Sequence, residues 1–244
     1  MTSIIESNDS NSNRASQRVL SGGAYSQTLS RGLAVLEVLA ATDHPLTSNE
    51  VAKELKLNRS VAYRLLHTLE AHDLVMIGID GRFTLGLSLV SLARKVQPDL
   101  RMSAYPVLKD LASETGGTAI LNAVDGEEVI ILLSVEPPNA EVRLSLREGV
   151  RRPLYKGSPG IAILSGRPRK PNEDPLVTNA RNLGYATSQG VLEVGAHGVS
   201  APVPTNFGGS QYAVTALFFS EHLINESDIG KKVQTAAKKV AFLT

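Results

Sequence analysis

Residues 46 to 75, LTSNEVAKELKLNRSVAYRLLHTLEAHDLV, decide the fold of the N-terminal third of the chain. Two short helical patterns flank the break LKLN. Thr47 and Glu50 have the spacing of a capping box, which satisfies free backbone N–H groups at the start of a helix. Asn58 is predicted to cap the helix that follows with its side-chain oxygen. The stretch therefore predicts two short helices that a tight turn holds at a steep angle.

The second helix of this pair has an apolar and a polar side. The predicted core face of the two helices and their turn consists of Val51, Ala52, Leu55, Leu57, Val61, Ala62, Leu65, Leu66 and Leu69. The opposite arc carries Arg59, Ser60, Tyr63, Arg64 and His67. A helix of this kind fits the major groove of DNA, where its first turn and its arginines can bind phosphates or base edges. Alternatively, the arc is only the solvated side of an amphipathic helix.

The flanking residues complete the pattern of a winged helix-turn-helix. SQTLSRGLAVLEVLAA, residues 26 to 41, predicts a helix that buries one stripe of leucines, namely Leu29, Leu33, Leu36 and Leu39. LVMIGIDGRFTLG, residues 74 to 86, predicts two strands joined by the two-residue turn Asp80-Gly81. Arg82 beside this turn either contacts the sugar-phosphate backbone or is an ordinary turn residue.

A connecting helix is predicted in LSLVSLARKVQ, residues 87 to 97, before Pro98 interrupts it. Its apolar stripe consists of Leu89, Leu92, Ala93 and Val96. This stripe either packs against the same residues of a second copy in a dimer or packs against its own chain.

Composition restricts the class of protein. Of the 244 residues, 42% are hydrophobic and none is cysteine, which excludes disulfides and thiolate metal sites. The net charge of +1 argues against a general polyanion binder, and residues 1 to 101 carry eleven Lys and Arg against ten Asp and Glu. We expect a globular cytoplasmic protein without a membrane span, whose DNA contacts are local. Residues 1 to 25, rich in Ser, Asn and Gly, are predicted to be a disordered tail.

The remaining two thirds of the chain alternate helix and strand patterns. Helices are predicted in SAYPVLKDLASETGG (residues 103 to 117), KGSPGIAILSG (156 to 166) and SDIGKKVQTAAKKVAFL (227 to 243). Strands are predicted in TAILNAVDGEEVIILLSV (118 to 135), with a turn at Asp125-Gly126, in EVRLSLREG (141 to 149), and in GVSAPVPTNFGGSQYAVTALFF (198 to 219). The apolar run from Val129 to Leu133 should be a central strand. This order predicts an α/β sheet domain with one helical face.

The sequence contains no recognisable catalytic motif. H-E-x-x-H, G-x-S-x-G, P-loop and nucleotide-binding glycine patterns are all absent. The five histidines are scattered, and His197 has no evident acidic partner. We therefore expect no enzyme, no catalytic residues, no cofactor and no bound metal. A hydrolase or other enzyme with an appended helical module is the minor alternative.

The chain resembles the IclR family of bacterial transcriptional regulators from about Ser26 onward. The resemblance rests on SRGLAVLEVLA, on the stretch from residue 46 to 75 and on GRFTLGLSLVSLA, and RNLGYATS and GAHGVSAPV support it. It implies an α/β (α+β) protein with a winged helix-turn-helix over residues 26–87, a linker helix over 88–101 and a GAF-like effector-binding domain over 102–244. It also implies a homodimer or tetramer on pseudo-palindromic operator DNA. Such a protein represses or activates transcription in response to a small effector, typically an organic acid or aromatic metabolite.

Two sets of site residues follow from this interpretation. DNA contacts are expected at Gln27, Ser30, Arg31, Thr47, Ser48, Arg59, Ser60, Tyr63, Arg64, His67 and Arg82. The resemblance, carried over position by position, places the effector against Leu144, Leu146, Ser158, Pro159, Ser188, Gly198, Thr215 and Leu217. A helix start at GSPGIA would attract an anionic group, and the hydroxyl groups would orient it. Each hydroxyl group has an alternative role as a local turn or strand partner.

Two departures from the family pattern concern the effector. SGRPRKPNEDPLVTNA, residues 165 to 180, is too broken for the long helical excursion that many members have, which leaves one cavity wall missing or loose. Leu217 stands where a small hydroxyl residue is common, and leucine cannot donate a hydrogen bond to a carboxylate. We expect an effector more apolar than a short keto acid, or a weakened response. The alternative function is a DNA-binding regulator or nucleoid-associated protein with a degenerate, ligand-free sensor domain.

Overall fold

The computed structural model describes residues 26–95, 98–138, 148–191, 194–205, 209–219 and 225–241. The chain divides between Val96 and Gln97 into two units, and this boundary falls inside the segment predicted as a linker. The predicted tail, residues 1 to 25, lies outside the described residues, as does most of the predicted strand over 141 to 149.

Three helices and a hairpin, followed by a short fourth helix, form the N-terminal unit, as the sequence predicts. The elements are α1 (Gln27–Ala41), α2 (Ser48–Glu54), α3 (Arg59–Ala71), β1 (Val75–Ile77), β2 (Phe83–Leu85) and α4 (Ser88–Ala93). Their shared core includes Val35, Val51, Leu66, Val75 and Phe83. Burial of these side chains holds the three helices together, since short helices of this length are marginal on their own.

The predicted leucine stripe of α1 is wrong at Leu29 and Leu33, whereas Leu39 is buried and Leu36 packs against the core as predicted. The buried side chains are Ala34, Val35, Val38 and Leu39, whereas Leu29 is 63% exposed and Leu33 is 52% exposed. The helix itself forms as expected, and the Ser26 hydroxyl caps it by accepting a hydrogen bond from the backbone N–H of Leu29. The side of α1 that packs against the core of its domain therefore does not include Leu29 and Leu33.

The connection between α1 and α3 largely follows the sequence. The capping box of α2 is confirmed, because Thr47 N donates to Glu50 Oε2 at 2.7 Å and Glu50 N donates to Thr47 Oγ1 at 3.3 Å. The prediction for Asn58 is wrong, since Asn58 occupies the N-cap position of α3 and its side chain makes no capping hydrogen bond. On α3 the predicted core residues are buried, apart from the half-buried Val61.

The hairpin turn is longer than predicted. Ile77 pairs with Phe83, so residues 78 to 82 connect the strands rather than Asp80-Gly81 alone. Gly78 N donates to Arg82 O at 2.7 Å and Gly81 N donates to Gly78 O at 3.0 Å. Gly81 has φ +72°, a left-handed conformation that glycine adopts without strain.

The C-terminal unit is a sheet with helices on both faces. Its elements are α5 (Pro98–Thr115), β3 (Thr118–Asp125), β4 (Glu128–Val135), β5 (Arg151–Pro153), α6 (Gly157–Ser165), α7 (Pro175–Leu183), β6 (Ala186–Gln189), β7 (Ala196–Pro202), β8 (Tyr212–Phe219) and α8 (Glu226–Ala241). The described strands form one antiparallel sheet in the order β5-β4-β3-β8-β7-β6. The mixed α/β class is therefore confirmed.

The prediction of a single helical face is wrong. Leu108 of α5 and Val233 of α8 pack with Leu121 and Val214 on one face of the sheet. Ile163 of α6 belongs to a separate cluster on the other face. The alternation of side chains along a strand supplies two faces, and here both carry apolar residues.

Several boundaries in this unit differ from the sequence prediction. Asp125 pairs with Glu128, so the tight turn between β3 and β4 is Gly126-Glu127, one residue later than expected. Helix α5 begins at Pro98 rather than near Ser103. Helix α7 and strand β6 were not predicted. Strands β7 and β8 and helix α8 are confirmed. None of the helices in the described part of the chain is long and apolar enough to cross a membrane.

Candidate functional site

The polar arc of α3 is exposed above a buried seam. Arg59, Ser60 and Arg64 are exposed, and Tyr63 is 52% exposed. On the opposite side of the same helix Leu66 is fully buried. Because the seam fixes the helix in its domain, these four side chains project from a rigid support, which is what entry into a DNA groove requires.

His67 differs from its four neighbours on the arc. It is half-buried, and its Nδ1 lies 2.6 Å from Glu70 Oε2. Its ring centroid lies 4.3 Å from that of Tyr63 and 5.9 Å from that of Phe83 on β2. His67 therefore connects α3 to the hairpin and supports the Tyr63 ring from one side.

Arg82 makes contacts within its own domain. Its NH1 group donates to Pro45 O at 3.1 Å and to Glu50 Oε2 at 3.3 Å, and its Nε lies 3.5 Å from Asp80 Oδ2. The backbone N–H of Thr47 lowers the pKa of Glu50 most, followed by the Thr47 hydroxyl, and the Arg82 charge lowers it further. These contacts attach the hairpin to the start of α2, and they occupy much of the guanidinium group.

The remaining candidate DNA contacts lie near helix starts. Gln27 is exposed at the start of α1, whereas Ser30 and Arg31 are half-buried. Arg31 Nε is buried and has no hydrogen-bond partner among the residues that the structure describes. Ser48 is half-buried as the first residue of α2, beside the Thr47 hydroxyl, which donates to Glu50 Oε2 at 2.8 Å.

A pocket lies in the C-terminal unit between the sheet and the start of α6. It encloses about 690 Å³ of empty space, including its solvent-open mouth. Most of its wall is apolar, with Ile120, Val129, Ile131 and Phe219 among the lining residues. Six candidate effector residues line it together: Ser158, Pro159, Ser188, Gly198, Thr215 and Leu217. Leu144 and Leu146 lie outside the described residues.

The hydroxyl groups of this pocket are already linked to one another. Ser158 N donates to Ser188 Oγ at 2.9 Å, and Ser200 Oγ donates to Ser158 Oγ at 2.8 Å. Ser200 Oγ is also 2.8 Å from Thr215 Oγ1, which accepts a hydrogen bond of 2.8 Å from Asn122 Nδ2. The sequence reasoning missed Asn122 and Ser200. The only available signal was that Asn122 is polar in the middle of an apolar strand pattern.

Basic residues also reach the pocket wall. Arg152 and Lys156 belong to its lining, and Lys156 is exposed at the N-cap of α6. An apolar cavity with a few polar groups and a positive rim can hold a small ligand that has an apolar body and a polar end. Among the described residues no group of three or more His, Asp or Glu could hold a metal ion.

One expectation about histidine is corrected by the structure. His197 has an acidic partner after all, because its Nε2 lies 2.8 Å from Glu226 Oε1. Glu226 is distant in sequence and becomes a neighbour only when α8 packs beside β7. The pair lies outside the residues that line the pocket.

A winged helix-turn-helix unit and a second unit with a ligand-sized pocket in the same polypeptide are typical of one-component transcriptional regulators. Two family models match: the IclR helix-turn-helix domain over residues 28–76, and the bacterial transcriptional regulator IclR C-terminal over residues 94–177. Together they cover more than half of the chain. The chain belongs to the IclR family, whose members are transcriptional regulators rather than enzymes, with a DNA-binding helix-turn-helix and an effector-binding C-terminal domain.

Several transcriptional regulators are similar in sequence to this chain. The HTH-type transcriptional regulator Rv1719 of Mycobacterium tuberculosis is 30% identical over 153 residues, 62% of this chain and 58% of that protein. The regulator TtgV of Pseudomonas putida is 24% identical and aligns over 87% of this chain and 89% of its own length. The transcriptional repressor IclR of Escherichia coli is 28% identical, and the alignment spans 57% of this chain and 52% of that repressor.

Solved structures have the same fold. An IclR regulator from Alicyclobacillus acidocaldarius is 26% identical with a TM-score of 0.78, and the match covers 90% of this chain and 99% of that one. An IclR homolog from Microbacterium hydrocarbonoxydans, solved in complex with 4-hydroxybenzoate, is 22% identical with a TM-score of 0.75. That match covers 88% of this chain and 98% of the homolog.

Proposed function

We propose that this regulator binds operator DNA through α3 and releases or strengthens that binding when a small molecule occupies the pocket of its C-terminal unit. The observation that carries the proposal is the exposed polar arc of α3 above its buried leucine seam. A regulator of transcription acts where the chromosome is, so we place it in the cytoplasm. We keep the predicted limits of the winged helix-turn-helix (26–87), linker (88–101) and effector domain (102–244).

Within the arc, we assign the residues by their chemistry. Ser60 and Tyr63 have short or aromatic side chains with hydroxyl groups and are the candidates for base-edge contacts. Arg59 and Arg64 form no ion pair with the residues that the structure describes, and their charges suit phosphates. Gln27, Ser30, Arg31, Thr47 and Ser48 lie near helix starts, where backbone N–H groups also favour phosphate.

A homodimer is the assembly that the exposed apolar residues favour. In the N-terminal unit Leu29, Leu33, Leu87, Val90 and Leu92 are each more than half exposed. A second copy of the chain covering these side chains would remove apolar surface from water. Two-fold symmetry would place two copies of α3 about one DNA turn apart, so the operator should be pseudo-palindromic. Assembly of two dimers into a tetramer on DNA is compatible with this arrangement.

The effector fits the description of an organic acid or an aromatic metabolite. The apolar wall suits a ring or a branched chain, and Arg152 and Lys156 favour a negative charge. A homolog with the same fold binds 4-hydroxybenzoate, which combines both features. An open cavity with polar groups in its wall supports a working sensor over a degenerate, ligand-free one.

Footprinting on promoter fragments tests this function. The purified protein should protect discrete two-fold symmetric sites, and effector candidates should change the protected fraction. A Tyr63→Ala variant should lose the discrete sites, whereas Thr68→Ala, which alters an exposed residue on the same helix outside the arc, should keep them. Uniform coating of the duplex by the unaltered protein would support a nucleoid-associated role instead and reject the proposal.

A further inference from the structure

Four buried polar side chains form a row across the sheet beside the pocket. They come from β3, β8, β7 and the start of α6: Asn122 (3% exposed), Thr215 (2%), Ser200 (0%) and Ser158 (0%). Each is linked to the next by a hydrogen bond of 2.8 Å. Buried polar groups far from water need partners, and such a chain of hydrogen bonds is mutually strengthened.

The number of hydroxyl protons determines which side chain of the row donates each hydrogen bond. A serine or threonine hydroxyl has a single proton to donate. Ser200 uses its proton toward Ser158 Oγ, so the hydrogen bond between Ser200 and Thr215 must be donated by Thr215. Thr215 Oγ1 in turn accepts from the amide of Asn122, whose Nδ2 also lies 3.5 Å from the carbonyl oxygen of Ala213. The Asn122 amide is thus the first donor of the row, and the Ser158 hydroxyl is its last acceptor.

This direction leaves two hydroxyl protons at the pocket wall. Ser158 Oγ accepts from Ser200, and its own proton has no acceptor in the described part of the chain. Ser188 Oγ accepts from Ser158 N, and its proton also lacks an acceptor there. Both oxygens flank Gly198, where the Cβ atom of any other residue would lie 2.6 Å from Ser158 Oγ and 3.4 Å from Ser188 Oγ. Two proton donors therefore face the same part of the cavity.

We infer that Asn122 is a specificity-determining residue: it orients the hydroxyl chain so that the pocket accepts ligands whose polar end takes hydrogen bonds and rejects ligands whose polar end donates them. This inference rests on the proposed effector control and deepens it. Asn122 acts from the far end of the chain, through Thr215 and Ser200, on the polarity of Ser158. A carboxylate satisfies both free hydroxyl protons, whereas an ammonium group has no lone pair to offer them.

Changing Asn122 to an acceptor should reverse the chain. In Asn122→Asp the carboxylate accepts from Thr215, Thr215 then accepts from Ser200, and Ser200 accepts from Ser158. The Ser158 proton is then turned away from the pocket, and its oxygen faces the ligand as an acceptor. Ser200→Ala interrupts the chain without introducing a charge, which leaves the Ser158 hydroxyl free to rotate. Ser165→Ala is the matched control, because the Ser165 hydroxyl on the same helix donates to Ala162 O and lies outside the pocket.

Calorimetric titration of the full chain with benzoate and benzylamine tests the inference. These probes have the same ring and differ in whether the polar end accepts or donates hydrogen bonds. The unaltered protein should bind benzoate at least about tenfold more tightly, since one hydrogen bond to a charged group contributes this much or more. The ratio should fall roughly tenfold in Asn122→Asp and Ser200→Ala, and Ser165→Ala should retain it.

Folding of each variant is checked by circular dichroism, and Ser200→Ala keeps the test valid if the buried carboxylate of Asn122→Asp unfolds the protein. A folded Ser200→Ala variant with an unchanged benzoate preference would overturn the inference. So would an unaltered protein that binds both probes equally or neither of them. The titration contains no DNA, so its failure is separate from a failure of footprinting, which concerns the proposed function.

Discussion

Removal of the Arg64 charge should flatten the salt dependence of DNA binding. Arg64 is exposed on α3, and it forms no ion pair with any residue in the described ranges, so its charge is available to a phosphate. Each phosphate contact contributes about 0.9 to the slope of log affinity against log salt. In a dimer, Arg64→Ala removes two such contacts and should reduce the slope by roughly 1.8.

The size of the effect follows from this slope. A fourfold rise in salt, from about 50 to about 200 mM, weakens binding by roughly 3.5-fold for each phosphate contact and by roughly 12-fold for two. The unaltered protein should therefore lose about 12-fold more affinity over this range than Arg64→Ala. Fluorescence anisotropy with a labelled operator and with an unrelated duplex measures both slopes. The loss should be alike on the two duplexes, because phosphate contacts carry no base information.

Arg82→Ala is the matched control for Arg64→Ala. Both variants remove one arginine from the same domain, but the Arg82 guanidinium is already engaged with Pro45, Glu50 and Asp80. Its removal can lower affinity by loosening the hairpin, and the slope should stay parallel to that of the unaltered protein. An unchanged slope in Arg64→Ala would refute the assignment of Arg64 to phosphate, and an equal reduction in both variants would show that Arg82 also contacts phosphate.

Three other predictions concern stability and assembly. Thr47→Ala removes the capping box of α2 and should destabilise the N-terminal unit by about 1 kcal/mol in urea unfolding; an unchanged midpoint would contradict the capping role. The pKa of Glu50 is lowered below its usual 4.5 in the folded state, so its contribution to stability is present at neutral pH and is lost as pH falls through the lowered value. Glu50→Gln should reduce the loss of melting temperature between neutral and acid pH, and equal losses would argue against it. Leu33→Glu should shift the protein toward monomer in sedimentation velocity, and a dimer unaffected by it would place the interface elsewhere.

The two helices of the N-terminal unit show why some predictions from sequence succeed. On α3 the apolar residues and the polar arc are cleanly separated, so only one orientation buries the apolar side. On α1 apolar residues lie on more than one side, and their spacing alone does not show which side meets the core. Leu29 and Leu33 remain exposed because the core of one chain uses Val35 and Val38 instead. On such a helix the apolar spacing alone therefore predicts the wrong core face.

The lining of the pocket in the C-terminal unit was predicted in part, but the hydrogen bonds between its side chains were not. Resemblance to a family predicts Ser158, Ser188 and Thr215 in one pocket, and all three line the pocket of the C-terminal unit. It does not reveal that Ser200 lies directly across from Thr215, which depends on the register of β7 against β8. A shift of one residue would turn Ser200 to the opposite face of the sheet and break the chain.

The direction of this chain of hydrogen bonds depends on the orientation of the Asn122 amide, which residue spacing does not encode. An asparagine at the end of a hydroxyl row can only make its neighbour an acceptor when its nitrogen faces that neighbour, and here the carbonyl group of Ala213 favours this orientation. Thr215 then donates its one proton to Ser200, because Ser200 already donates its own proton to Ser158. Whether the Ser158 hydroxyl donates or accepts a hydrogen bond toward a ligand is therefore determined by Asn122, two strands away. In the sequence, Asn122 stands in what looks like an ordinary buried strand.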